Sequence, residues 1–171
     1  MKQKNKTSLE SNQEARENLF KWWNALDNNR GDRASLRRSH DTMEVVFNPA
    51  YHHLWRDMNK LGFRNKDSLA VVAGVLVHVR NHDGSKSFAT QMATPKAEGS
   101  NARVSGLRFR RLLKIDNRDY DKLLTSMVRV VKHLDGNVNI YSLANSIYWW
   151  NEYTRKQWAY DYYEKAPANE K

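Results

Sequence analysis

The sequence predicts an all-α protein, and three observations carry that prediction. Only 7 Gly and 3 Pro punctuate its 171 residues, too few turn-formers for a chain of many short strands. Apolar residues recur at spacings of three and four along most of its length. Six Trp, 8 Tyr and 5 Phe supply large surfaces to bury, so the chain can fold despite its polar average.

The elements follow in order. From Ser11, "SNQEARENLFKWWNALD" reads as a helix, with Ser11 as cap, Glu14 as capping-box partner, and Leu19, Trp22, Trp23 and Leu26 on its apolar side. Asp32 is the expected N-cap of a short basic helix in "NNRGDRASLRRSH". Pro49, at a first helical turn, opens "AYHHLWRDMNKLG", which Gly62 closes. Asp67 or Ser68 begins the apolar run "SLAVVAGVLVHV", read as a helix despite strand-favouring Val71, Val72, Val75 and Val77. Residues 83–101 hold Gly84, Pro95 and Gly99 among small polar residues and read as a connecting loop around a short helix at 87–93. Three helical patterns come after it: 103–115, then "RDYDKLLTSMVRVVKHLD" closed by Gly136, then a long one from Ile140 to Tyr163. The expected organisation is two packed helical lobes, 11–93 and 102–164, between polar tails at 1–10 and 165–171.

Charge narrows the function. The 29 Lys and Arg outnumber the 19 Asp and Glu, for a net +10, which favours polyanionic partners. There is no cysteine, which removes disulfides, Cys-ligated metals and thiol nucleophiles. The first residues are basic without an apolar core, unlike a secretory signal. The run at 68–79 falls far short of the roughly 20 residues that span a bilayer, so no membrane role is expected.

Between Glu98 and Asp116 the chain has no acid, yet carries Arg103, Arg108, Arg110, Arg111 and Lys114. At 100° per residue, Arg103, Arg110 and Lys114 fall within about 40° of one another, opposite Phe109, Leu112 and Leu113. Leu107 is out of place on that basic face. A second cluster pairs Arg33 with Arg37 at i, i+4, flanked by Arg30 and Arg38. Arg129, set among apolar neighbours, adds little by itself. Two acid-poor Arg clusters point to spaced phosphate contacts, and Arg suits the forked recognition of phosphate oxygens. The last helix is apolar on two sides, with Ile140, Leu143, Ala144, Ile147, Trp150 and Trp158 on one and Trp149, Tyr153 and Tyr160 near the other, Lys156 between them. Such a helix is central in the bundle or meets a partner.

Catalytic signals are weak. His78 and His82 are four apart, but Asp83 is not placed as a third ligand, and His52 and His53 point in different directions. No glycine-rich phosphate loop or nucleophile elbow is present. No metal, cofactor or enzymatic activity is expected.

In order, "LFKWWNALD", "GDRASLRRS", "RVSGLRFRRLL" and "LANSIYWWNEYTRKQWAYDYY" resemble the CasB family, the small subunit of the type I-E CRISPR surveillance complex, Cascade. The likeness runs from about Leu19 to Tyr163. It implies two helical lobes and two copies side by side in a cytoplasmic prokaryotic ribonucleoprotein for antiviral defence. There the small subunits would join other Cascade subunits and hold the guide RNA–target DNA hybrid and the displaced strand, without catalysis. By position, Arg37 and Arg38 match the family's Arg pair. Arg103, Arg108 and Lys114 match basic places of the later helix, and Arg155 or Lys156 one in the last. Arg110 and Arg111 are additions of this sequence, and Gly106 stands where the family would place an acid. The residues expected to meet nucleic acid are therefore Arg33, Arg37, Arg38, Arg103, Arg108, Arg110, Arg111, Lys114, Arg155 and Lys156.

Two other readings compete. "RVVKHLDGNVNIYSLANSIYWWNEYTRK" has the outline of a helix-turn-helix regulator, although its second helix begins without a basic residue. A scaffold whose cations meet acidic protein surfaces is the other.

Overall fold

Asparagine sets the helix boundaries. Asn12 accepts a hydrogen bond from the N–H of Ala15 at 3.0 Å, Asn29 from Asp32 at 3.2 Å, and Asn65 from Ser68 at 3.0 Å. The caps expected at Ser11, Asp32 and Asp67 or Ser68 are thus displaced. Asp32 and Ser68 are the donors that these asparagines cap, three residues on, because the Asn side-chain oxygen takes up an orphan N–H of the first turn.

The computed structural model describes residues 7–171, so residues 1–6 of the expected tail at 1–10 lie outside the described residues. The elements are α1 (Gln13–Ala25), α2 (Arg30–Arg37), α3 (Thr42–Val46), α4 (Pro49–Lys60), α5 (Lys66–Leu76), β1 (Asn81–His82) and α6 (Phe88–Ala93). They continue with α7 (Gly106–Leu112), α8 (Tyr120–His133), β2 (Asn137–Val138), α9 (Ile140–Tyr148) and α10 (Glu152–Lys165). The protein is mostly helical, as its composition predicts. The short parallel pair sets Asn81 against Asn137 and His82 against Val138.

Helix α5 is the axis of the core. Every residue from Ser68 to Leu76 is buried, against α3, α4, α8 and α9. Burial on all sides explains why its apolar run shows no amphipathic period. Gly74 makes the close approach possible: a Cβ there would stand 2.7 Å from Leu124 Cδ1 and 3.0 Å from Val45 Cγ2. The apolar interior forms one continuous cluster from Leu9 to Ala166. Leu9 is buried and its N–H donates to Asn145 Oδ1 at 3.0 Å. At the other end, Glu170 Oε2 accepts from the N–H of Gly106 at 2.7 Å. The acid that residue 106 lacks therefore reaches the start of α7 from the C-terminus.

Two expected helices are corrected, and one helix was not expected. The helix expected over 103–115 is only α7, capped by Ser105 through the N–H of Arg108 at 3.4 Å. Arg103 precedes it and Lys114 follows it, so those two and Arg110 do not form one helical stripe. The long helix expected from Ile140 to Tyr163 breaks at residues 149–151. Asn151 starts α10 by accepting from Thr154 N–H at 3.0 Å, and the turn buries Trp150, whose Nε1–H donates to Ile115 O at 3.1 Å. The helix α3, opened by Asp41, has five residues and is too short to show a period.

Candidate nucleic-acid interface

Three helix ends converge on one side of the molecule. There α2 finishes at Arg37, α5 at Leu76 and α8 at His133. Helix C-termini carry partial negative charge and favour cations. Arg37 Nε–H donates to Val77 O at 3.2 Å, directly behind the end of α5. The N–H of Arg80 donates to Gly136 O at 2.9 Å. Gly136 is in the left-handed region at φ 73°, and a Cβ there would come within 2.9 Å of Arg80 Cγ. The tight turn after α8 is what brings Arg80 beside Arg37.

The result is an open pocket of about 530 Å³ lined by Arg37, His78, Arg80, Lys132, Asp135 and Gly136. Asp135 is its one acidic lining residue and is already engaged, by Lys96 at 2.7 Å and Arg103 at 3.1 Å. Among the described residues no carboxylate forms an ion pair with Arg37, Arg80 or Lys132. Burial and the neighbouring cations shift the titration of two lining residues in the same direction. Burial, then the charges of Arg33 and Arg80, lower the pKa of Arg37. Burial, then Lys132 and Arg37, push His78 down to about 4. A cluster of cations that repel one another, beside an acid already engaged elsewhere, is arranged to accept an anion.

A second groove, of about 190 Å³, lies between α7 and α8. Arg108 and Arg111 line it from α7, and Ser126, Arg129 and His133 from α8. Arg108, Arg111 and Arg129 are exposed and, like the cations of the pocket, have no acidic partner among the described residues.

The expected site residues therefore separate. Arg37 enters the pocket, and Arg108 and Arg111 enter the groove. Arg103 reaches the pocket only through Asp135. Arg38, Arg110 and Lys114 are exposed and line neither. Arg33 pairs with Asp27, while its Nε is buried without a partner. Arg155 is turned inward: its guanidinium donates to Leu113 O and Ile115 O, each at 3.3 Å, and to Asn117 Oδ1 at 2.8 Å. Lys156 pairs with Glu152 at 2.7 Å one turn away. Sequence reasoning missed Arg80, set Arg129 aside, and missed Lys132 and His133. The acid-free polar face of α8 was a legible signal for the last three, whereas Arg80 is placed by the turn at Gly136.

Other expected chemistry is arranged differently. His78 and His82 do not share a helical face, since α5 ends at Leu76; His82 Nδ1 instead accepts from Ile140 N–H at 3.2 Å. In the helix-turn-helix outline α9 would be the reading helix. It carries no Lys or Arg, and 7 of its 9 residues are buried, so it has no face for a groove of DNA.

Fold and site together define a mostly helical, strongly basic protein that gathers cations without acidic partners at converging helix ends. Comparison places it more closely. The family model for CRISPR-associated protein Cse2 matches residues 32–163, most of the chain. The chain belongs to this family, the Cse2 or CasB small subunits that its motifs resemble. Its fold is similar to that of a chain in a crystal structure of E. coli Cascade bound to a PAM-containing dsDNA target. The TM-score is 0.64 and the identity 23%, over 86% of this chain and 93% of that one. No curated protein matches the chain. No helix among the described residues is long and apolar enough to cross a membrane.

Proposed function

We propose that this chain is a non-catalytic, nucleic-acid-binding small subunit of a CRISPR RNA-guided surveillance complex in the prokaryotic cytoplasm. Its partners would be the guide RNA, the target DNA and displaced strand, other Cascade subunits and a second copy of itself. Family membership supports the setting, and the match to a chain of DNA-bound Cascade agrees with it.

The observation that carries the molecular role is the pocket where Arg37, Arg80 and Lys132 meet without a free acid. In guide-directed recognition, base pairing reads sequence and the protein needs only backbone and shape. Opening a duplex against a guide is nearly balanced, so a few phosphate contacts decide whether the open state persists.

The test is retention of target DNA by the assembled complex carrying Arg37→Ala together with Arg80→Ala. A loss of roughly tenfold or more near 0.1 M salt is expected, with a shallower salt dependence. Retention equal to that of the unaltered complex would sink the role given to the pocket.

A further inference from the structure

Helix α8 separates the pocket from the groove and lines both: Lys132 faces the first, Arg129 and His133 the second. Between Lys122 and Leu134 it has no acid. At 100° per residue, Lys122, Thr125, Ser126, Arg129, Lys132 and His133 share one face about 120° wide. The opposite face, Leu123, Leu124, Met127, Val130 and Val131, is buried against the core. From Lys122 to His133 that polar face is about 16 Å long at ~1.5 Å per residue. One strand presents a phosphate roughly every 3.4 Å along a duplex axis, so the face has room for about four.

We infer that the exposed face of α8 from Lys122 to His133 is a track for a phosphodiester backbone, joining the Arg37–Arg80 pocket to the Arg108–Arg111 groove. The inference rests on the proposed nucleic-acid role and adds its location. Arg129 and Lys132 supply the charge, and the hydroxyl of Ser126 is a further donor for phosphate oxygens. Because these side chains would meet phosphates and not base edges, contacts of this kind carry no sequence preference.

The full chain is titrated into a labelled 30-nucleotide mixed-sequence single strand and, separately, into its duplex, at several salt concentrations. The variant Arg129→Gln with Lys132→Gln removes two cations from the track. Arg56→Gln with Lys60→Gln removes two exposed cations of α4 and matches the change in net charge. The track variant is expected to lose roughly tenfold or more in affinity near 0.1 M salt. Its log–log salt slope should fall by about 1.4 on the single strand or about 1.8 on the duplex. The arm that shows the fall identifies the form the track accepts, and the α4 variant should change affinity by less than about twofold.

Should the track variant fold poorly by circular dichroism, Thr125→Lys adds a cation to the same face and must tighten binding. Equal effects of the track and α4 variants, or no gain from Thr125→Lys, would overturn the track. If the unaltered chain binds neither probe, the nucleic-acid role falls with it. If it binds and Arg37→Ala with Arg80→Ala weakens it while the track variant does not, only the track falls.

Discussion

Arg103 meets Asp135, the acidic lining residue of the basic pocket, at 3.1 Å, and Lys96 joins the same carboxylate at 2.7 Å. The hydrogen bond and charge of Lys96, then Arg103, hold the Asp135 carboxyl below its ordinary range, so it is ionised at any working pH. It occupies cations that an incoming phosphate would otherwise meet. Residue 135 has φ 55°, a conformation that Asn accepts as readily as Asp. Asp135→Asn should therefore keep the turn, release Lys96 and Arg103, and tighten nucleic-acid binding several-fold. The salt slope should steepen by about 0.7 to 0.9 for each phosphate gained. Weaker binding by a folded Asp135→Asn protein would show that the carboxylate orients the pocket instead of competing for it.

Arg155 predicts the opposite pattern. Its guanidinium ties α10 to the carbonyls of Leu113 and Ile115 and to Asn117. Hydrogen bonds from a charged donor contribute about 1.5–3 kcal/mol where they are sheltered, less where water reaches them. Arg155→Ala should destabilise the fold by about 1–2 kcal/mol in urea unfolding. The salt slope of nucleic-acid binding should remain that of the unaltered chain. A fall in slope without loss of stability would return Arg155 to the interface.

These two arginines mark where the sequence was readable and where it was not. Burial patterns survive in sequence because they are local: the run at 68–79 announces α5, and Pro49 and Gly62 bracket α4. Capping was harder to place, since an Asn followed three residues later by Asp or Ser offers two residues able to cap. The break at 149–151 was hidden because Trp149 and Trp150 fit an apolar face whether the helix continues or turns. At the interface Arg37 was legible as part of a cluster in sequence. Arg80 is brought to it only by the turn at Gly136, whereas Lys132 stands on the acid-free face of α8. The spacing over 103–115 misleads in the reverse way. It suggests a helix through Arg103, but Ala102 bridges to Pro95 and the chain bends at Arg103 and Val104 before Ser105 starts α7.

Tyr162 tests how the C-terminal helix is held. Its ring stacks on Phe109 at 3.9 Å, and its hydroxyl donates to Val104 O at 2.6 Å, fully inside the core. Burial, then the charge of Glu170, raises the pKa of the phenol, which keeps it a donor throughout the accessible pH range. Tyr162→Phe preserves the stack but leaves the Val104 carbonyl buried without that donor. The expected cost is about 1–3 kcal/mol, read as a lower urea midpoint with an unchanged m-value. A neutral result would mean that water replaces the hydroxyl.

His78 reports on the pocket from within. It faces Arg37 at the end of α2, Arg80 beyond α5, and Lys132 and Asp135 at the end of α8. Burial and the first and third of these cations lower its pKa from 6.5 to about 4. In the unfolded chain it returns to an ordinary value, so between pH 6.5 and 4 the unfolded state binds more protons. His78 therefore makes the fold less stable as pH falls through that window, and has no such effect above it. In the native protein its NMR titration, assigned by loss of the signal in His78→Gln, should have its midpoint near 4. Lys132→Gln should move that midpoint upward, and so should a bound phosphate backbone, because an anion in the pocket offsets the same repulsion. Binding at pH 5 should then take up protons, measurable as a dependence of the binding enthalpy on buffer ionisation. A midpoint that is already near 6.5 in the free protein, or that does not move when nucleic acid binds, would mean that the phosphate does not sit where Arg37, Arg80 and Lys132 converge.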